Sequence, residues 1–234
     1  MVVKVLKYIV LLTVAYLLLT LGWGLYYNTS RPWIEEKMGY NYNFLLLLVA
    51  VEYGPLLLSI IAGVISDLLG RVKIIALGLF QSIAFALIPF LGLMYLPIVI
   101  LLASFFSIFP WMNIIALTMI IGRKSGKVYA YIALGGSLGW GLSGIITMAL
   151  NYLCHNFEFV LISTYASSSI FLFVSTLLTI IVTKSYEDFR RLELINIKIL
   201  KNYFTNKLRL LISIIASFTL ALLRNINSVE CLSS

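Results

Sequence analysis

The stretch Gly63-Val-Ile-Ser-Asp67-Leu-Leu-Gly70-Arg71-Val-Lys73 is a short charged turn between two long apolar runs, 44–66 and 74–91. Each run is close to the length of the ~20-residue helix that crosses the hydrocarbon core of a bilayer. Because glycine tolerates backbone conformations that other residues avoid, Gly70 permits a tight reversal between the two runs. The stretch therefore predicts two transmembrane helices joined by a charged turn.

Four other residues of this turn have chemistry that suggests a role. Gly63 allows its helix to approach a neighbouring helix closely, as small residues do in membrane proteins. The carboxylate of Asp67 can accept hydrogen bonds at the positive N-terminal end of another helix. Arg71 and Lys73 can pair with Asp67 or with anionic lipid headgroups.

The composition extends the prediction to the whole chain. Of the 234 residues, 62% are hydrophobic and 11% are charged, and the mean hydropathy is +1.04. Soluble domains are roughly half apolar and about a quarter charged, so that class is excluded. The apolar residues form continuous blocks, which favours helices over the alternating strands of a membrane barrel. We predict an all-α polytopic membrane protein in contact with the lipid bilayer.

The apolar blocks divide the chain into six predicted transmembrane helices, at about 8–27, 44–66, 74–91, 96–121, 128–150 and 159–183. A seventh apolar segment, 210–223, is short: at ~1.5 Å per residue it does not cross a core of ~30 Å. We therefore expect three regions: a six-helix bundle (1–183), a cytoplasmic linker (184–209), and a short or truncated seventh helix with a polar tail (210–234).

The net charge of +8 reflects basic residues that we place mainly on one side of the membrane. Lys and Arg accumulate in cytoplasmic loops, and this bias sets the orientation. With a cytoplasmic N-terminus, the predicted outer segments contain only Arg31, Lys37 and Arg224 of the 17 Lys and Arg residues. We expect a multi-pass protein of the plasma membrane with its N-terminus in the cytoplasm and no nucleic-acid partner.

The charged turn resembles the loop between the second and third helices of the major facilitator superfamily of secondary transporters. The pattern of that loop is Gly-x-x-x-Asp-(Arg/Lys)-x-Gly-Arg-(Arg/Lys)-(Arg/Lys), and five of its positions are matched here, by Gly63, Asp67, Gly70, Arg71 and Lys73. Leu68 and Val72 stand where the family usually has basic residues. The run Gly136-Ser-Leu-Gly139-Trp also resembles fifth helices of several subgroups.

The resemblance implies six helices arranged as two inverted three-helix repeats, which form one half of a transporter. In the family the charged turn is a latch that joins the two halves on the cytoplasmic side. Residues 184–209 would link the halves, and 210–223 would begin the seventh helix. The missing second half, a second copy of the chain or a partner membrane protein would then supply the other bundle.

Glu52 is the only carboxylate well inside a predicted span. An intramembrane carboxylate is costly and marks a candidate functional site, here for proton or ion coupling. Ser59 and Ser66 follow it on the same helical stripe. Pro55 cannot donate to the carbonyl of Val51, so we expect a kink beside Glu52. The alternatives are a glutamate that reaches the outer interface and one that is hydrogen-bonded within the bundle.

Polar residues on two other predicted helices suggest a cavity. Thr13, Tyr16 and Thr20 recur at spacings of three and four residues in the first helix, and Asn113 lies in the fourth. Such a face can line a site for a polar or aromatic solute.

The fifth predicted helix carries small residues at Gly135, Gly139 and Ser143. A small-xxx-small spacing brings helix backbones close together. This face can meet a second bundle, form a dimer, or pack within the same six helices.

We expect a permease that moves a small solute, with protons as a candidate coupling ion, by alternating access. It would be an incomplete, half-sized transporter. The alternative is a truncated or accessory membrane protein that packs on a partner without transporting. Paired carboxylates, a His–Glu metal set and a Ser–His pair are all missing from the predicted spans, so we expect no enzyme activity, cofactor or metal.

Overall fold

A computed structural model of the chain describes residues 2–39, 41–122, 126–154 and 156–190. Within these ranges the chain forms helices and turns, with no strand. Six helical spans are long and apolar enough to cross a membrane; we number them 1 to 6: Leu6–Met38, Tyr42–Leu69, Arg71–Phe90, Leu93–Ile121, Gly126–Leu153 and Phe157–Tyr186. This confirms the predicted helical architecture with six candidate membrane spans. The predicted seventh segment and residues 191–209 of the linker lie outside the described residues.

The spans are built from eight α-helices: α1 Val2–Met38, α2 Tyr42–Tyr53, α3 Ser59–Leu69, α4 Arg71–Leu77, α5 Leu79–Leu87, α6 Leu96–Ile121, α7 Gly126–Leu153 and α8 Phe157–Arg190. Three short 3₁₀ turns complete them, at Gly54–Leu58, Ile88–Phe90 and Leu93–Tyr95.

Helix α1 is longer than the sequence predicts. The prediction ends the first helix near residue 27 and places a polar loop at 28–43, but the helix continues to Met38 with Pro32 inside it. A proline in a membrane helix is tolerated where neighbouring groups satisfy the freed carbonyl. Trp33 and Ile34 are buried in the core, so tertiary packing stabilises this extension against its polar composition. The extension places Arg31 on a helix instead of in an external loop.

Span 2 changes helix type directly after Glu52. The segment Gly54–Leu58 is a 3₁₀ helix with Pro55 in its first turn, between α2 and α3. This is the expected effect of a proline that cannot donate a backbone hydrogen bond. Span 2 therefore consists of two helical segments, the first with Glu52 and the second with the charged turn.

The charged turn is tighter than a loop. Helix α3 ends at Leu69, α4 begins at Arg71, and Gly70 alone joins them with φ +95°. Any residue with a Cβ atom would find this backbone conformation unfavourable, so the turn needs glycine at position 70, as predicted.

Spans 4 to 6 agree well with the sequence. Helix α6 occupies the predicted 96–121, and α7 adds a few residues at each end of 128–150. Helix α8 continues to Arg190, so the first residues assigned to the linker extend span 6 instead.

Span 1 packs against spans 4, 5 and 6. Helix α1 packs along α7 and also contacts α6. Span 6 is joined to it by two hydroxyl-to-carbonyl hydrogen bonds, from Ser168 to Gly22 and from Ser175 to Ala15. Large side chains such as Tyr26, Phe85 and Tyr165 fill the space between these helices.

Candidate functional site

Glu52 is buried and fully hydrogen-bonded in the first helical segment of span 2. Its side chain has no exposed surface. Oε1 accepts hydrogen bonds from the hydroxyl of Tyr26 at 2.6 Å and from Arg31 Nη2 at 3.0 Å. Oε2 accepts from the same Arg31 nitrogen at 2.7 Å. Of the alternatives that the sequence leaves open, the glutamate bonded within the bundle is the one seen here.

Arg31 contacts Glu52 through one nitrogen only. A guanidinium usually holds a carboxylate with two nitrogens side by side, but here Nη2 alone reaches both oxygens. The guanidinium carbon also lies 5.6 Å from the centre of the Tyr27 ring, within the range of a cation–π interaction. The side chain is 32% exposed, so the cation sits at the edge of the core while the carboxylate lies inside it.

The spacing of residues in α1 builds the site. Residues three and four apart share a helix face, and Tyr27 and Arg31 are four apart, as are Tyr26 and Ser30. These side chains occupy two adjacent faces of α1, and Tyr26 from one face and Arg31 from the other both reach Glu52. Glu52 meets these faces from α2, just before the 3₁₀ segment begins.

An aromatic cluster surrounds the inner side of the pair. Trp23 and Phe85 pack edge to face with centres 5.0 Å apart, and Tyr26 lies 5.5 Å from Phe85. Tyr165 of span 6 lies 6.3 Å from both Tyr26 and Trp33. These rings exclude water, so the electrostatic attraction inside the site is stronger than at a protein surface.

Several buried polar atoms in this region have no hydrogen-bond partner among the described residues. They are Nε1 of Trp23, Oγ of Ser30, Nη1 of Arg31 and the hydroxyl of Tyr165. Buried polar groups are nearly always paired, so each such atom calls for an explanation. Four of them in the surroundings of one ion pair are hydrogen-bonding groups that no described residue satisfies.

The free-energy cost of burying charged side chains argues that this pair does more than fill space in the core. Charged side chains inside a membrane bundle are expensive and rare, and they typically serve transport or proton transfer. A well-packed apolar pair of similar size would often stabilise a buried position equally well or better. The pair of Arg31 and Glu52 is therefore the candidate functional centre.

The charged turn is exposed. Arg71 donates to Asp67 Oδ1 from Nε at 3.1 Å and from Nη2 at 2.8 Å, which realises one of the predicted pairings. Lys73 is exposed beside them. Gly63 does not approach another helix within the described chain, because a Cβ placed there would meet nothing within 4 Å. The structure thus leaves this end of span 2 uncovered.

The predicted cavity residues lie at helix contacts. Thr20 is buried and donates to the carbonyl of Gly136 in α7, and Asn113 accepts from Ser66 at 3.1 Å. Thr13 bonds within its own helix, and Tyr16 packs edge to face on Trp111. In this structure Thr20 and Asn113 hold helices together, whereas the sequence suggests a cavity wall.

The small residues of α7 pack within the bundle. A Cβ on Gly135 would collide with the Thr13 carbonyl, and one on Gly139 with the Thr20 hydroxyl and a backbone carbonyl. Ser143 faces α1 and accepts a hydrogen bond from Asn28 at 3.0 Å. Of the three readings open from the sequence, packing within the six helices is the one seen in the described residues, because α1 covers this face.

Sequence reasoning missed Arg31, Tyr26 and Tyr165. Arg31 is assigned to an external loop because residues 28–43 are polar. A usable signal existed: a buried Glu52 needs a cation, and Arg31 is one of only two basic residues between the first and second predicted spans.

The described residues contain no group of three His, Cys, Asp or Glu side chains that could hold a metal ion. Comparisons with models of known families, with curated proteins and with solved structures find no match.

Proposed function

We propose that this protein is a secondary-transporter-like permease, which moves a small solute across the membrane by alternating access. The observation that carries the proposal is the buried pair of Arg31 and Glu52 between spans 1 and 2. Ionisable groups at this depth mark substrate or proton pathways more often than structural supports.

The pattern of helix contacts supports two inverted three-helix repeats. Two such repeats would make spans 1, 2 and 3 equivalent to spans 4, 5 and 6. The contact between spans 1 and 5 would then correspond to the contact between spans 4 and 2, and both contacts are present. The contact of spans 1 and 6 becomes that of spans 4 and 3, and again both exist. Spans 3 and 6 touch each other, through Gln81 and Thr176.

The exposed spans suggest where a second bundle would dock. In the most apolar window of span 2 only 17% of the residues are buried, and in that of span 5 only 33%, against 39–56% in the other four. Spans 2 and 5 would be equivalent in the two repeats, and span 2 leads into the exposed pair of Asp67 and Arg71. A second bundle on this side, from a longer chain, a second copy or a partner protein, would complete a major-facilitator-like transporter.

The orientation belongs to the same proposal. A cytoplasmic N-terminus places the charged turn and the start of α7 on the cytoplasmic side, where basic residues accumulate. The Arg31–Glu52 pair then lies toward the outer side of the plasma membrane.

A second candidate function is a non-transporting accessory protein. The observation in its favour is that every oxygen of Glu52 is bonded within the chain, as in a structural support between two helices. In that role the pair would join spans 1 and 2, and the exposed spans would pack on a partner.

Uptake into proteoliposomes separates the two candidates. The full chain is reconstituted and tested with labelled carboxylates, amino acids, sugars and organic cations, with and without a pH gradient. The proposal predicts saturable uptake of one solute class above empty liposomes, and its loss in the double variant Arg31→Gln/Glu52→Gln. Uptake that the double variant retains would contradict a functional pair, and the absence of any uptake would favour the accessory protein.

A further inference from the structure

We propose that the unpartnered donors beside Arg31 form a binding site for a carboxylate, which binds together with one proton taken up by Glu52. The physiological use of such a site rests on the proposed transport function, but the site itself can be tested by binding alone.

The guanidinium of Arg31 has N–H donors that Glu52 does not use. Nη2 serves both oxygens of Glu52, while Nη1 is buried and has no partner among the described residues. Arginine offers five N–H donors in a planar fork. A carboxylate oxygen at Nη1 would give this buried nitrogen the acceptor that the protein does not provide.

The neighbouring polar atoms also favour an acceptor-rich ligand. The indole nitrogen of Trp23 can only donate, and the hydroxyls of Ser30 and Tyr165 are able to donate. A ligand that could only donate would leave both the indole and the guanidinium unsatisfied. Trp23, Phe85 and Tyr165 are aromatic neighbours of Tyr26, and they would contact an apolar body behind the carboxylate.

Charge balance explains why a proton should bind to Glu52 together with the carboxylate. The pair carries no net charge as it stands, and a bound carboxylate would add one buried negative charge. The titratable groups around Glu52 among the described residues are Arg31, Tyr26 and Tyr27 of α1, Tyr165 of α8 and Tyr53 on its own helix. Arg31 is the one cation of this set. Since an unpaired buried charge is costly, a proton from solvent on Glu52 restores neutrality without breaking a covalent bond.

The protonated Glu52 keeps its place in the site. Its carboxyl group still accepts from Tyr26 and from Arg31 Nη2, while Nη1 of Arg31 binds the ligand carboxylate. Binding of the anion and binding of the proton therefore favour each other. In a transporter this coupling would make the movement of a carboxylate with one proton electrically neutral.

The test uses the purified full chain in detergent, with benzoate as the probe and benzamide as its neutral analogue. Titration calorimetry in two buffers of different ionisation enthalpy counts the protons taken up. We expect one proton per benzoate, and an affinity that weakens about tenfold per pH unit above the range where Glu52 ionises. Benzamide should take up no proton.

Two variants and a control define the role of each charge. Glu52→Gln is neutral already, so it should bind benzoate without proton uptake and with less than about twofold change between pH 6 and pH 8. The double variant Arg31→Gln/Glu52→Gln removes both charges, avoids a lone buried ion and should not bind benzoate. Glu158→Gln changes an exposed glutamate outside the site and should behave as the wild type. Thermal unfolding midpoints show that each variant is folded.

Three results would overturn the proposal: no benzoate binding, binding without proton uptake in the wild type, or benzoate binding that the double variant retains. Different outcomes test the transport proposal and the binding site. Proton-linked benzoate binding without uptake of any solute by proteoliposomes would leave the site in place and contradict the transporter, and uptake of another solute without benzoate binding would do the reverse.

Discussion

At the scale of single residues, Glu52 shows how a membrane protein can hold a carboxylate in its core. The side chain is fully buried, yet both oxygens are bonded, to a phenol and to a guanidinium. Arg31 differs because a third of its side chain reaches the surface. This asymmetry predicts that the two charges do not contribute equally to stability.

Arg31→Gln should lower the free energy of unfolding by ~2–5 kcal/mol, because it leaves an uncompensated carboxylate inside the bundle. Glu52→Gln should cost less, because a third of the Arg31 side chain already reaches the surface where it stands. Unfolding in mixed detergent micelles measures both. Equal losses in the two variants would show that the difference in burial has no energetic effect.

Tyr26→Phe removes one hydrogen bond to a charged group. We expect a loss of ~1.5–3 kcal/mol of unfolding free energy. Tyr165→Phe is the matched control, because its hydroxyl is buried without a partner among the described residues, and its removal in the absence of ligand should leave stability nearly unchanged. The prediction fails if both phenylalanine variants are equally stable.

At the scale of helices, the sequence predicts well where one physical effect dominates. The apolar run of span 4 gives the bounds of α6, and Pro55 produces the 3₁₀ segment next to Glu52. The end of α1 is predicted poorly because residues 28–38 are polar and contain Pro32. Burial of Trp33 and Ile34 against other spans keeps them helical, and a single run of sequence does not reveal that packing.

The close contact of α1 and α7 depends on glycines on one face only. Gly139→Ala places a methyl group against backbone and hydroxyl atoms of α1, and overpacking of this kind costs ~1–3 kcal/mol. Gly141→Ala is the control two residues away, where a Cβ would meet nothing within 4 Å. Its stability should be unchanged or slightly higher, since alanine favours a helix.

Unfolding of both variants in the same micelles is the measurement. A Gly139→Ala protein as stable as Gly141→Ala would mean that the two helices are not in close contact.

At the scale of the whole molecule, the candidate site is only half visible in the sequence. Glu52 stands out as a lone charge in an apolar span. Arg31 and Tyr165 reach Glu52's surroundings only through the packing of spans 1, 2 and 6, and span 6 is far from the other two along the chain. Thr20 and Asn113 lie at the contacts of span 1 with span 5 and of span 4 with span 2.

The exposed faces lead to a prediction about assembly. Reconstituted alone, the chain should associate through span 2, so a cysteine at Leu57 should give a crosslinked dimer with a short bismaleimide. Phe173 on span 6 is also exposed, and a cysteine there should not crosslink. Both variants carry Cys154→Ser and Cys231→Ser. Equal crosslinking at the two positions would indicate random collisions in the membrane instead of a defined interface.

The most direct test of the central claim is to measure stability and solute uptake of the Arg31→Gln/Glu52→Gln double variant on the same preparation. Removing both members of a buried pair avoids a lone charge, so the account predicts an unfolding free energy within ~1–2 kcal/mol of the wild type. It predicts at the same time that uptake falls to the level of empty liposomes. A stable double variant with wild-type uptake would show that the pair only supports the fold and would contradict the account.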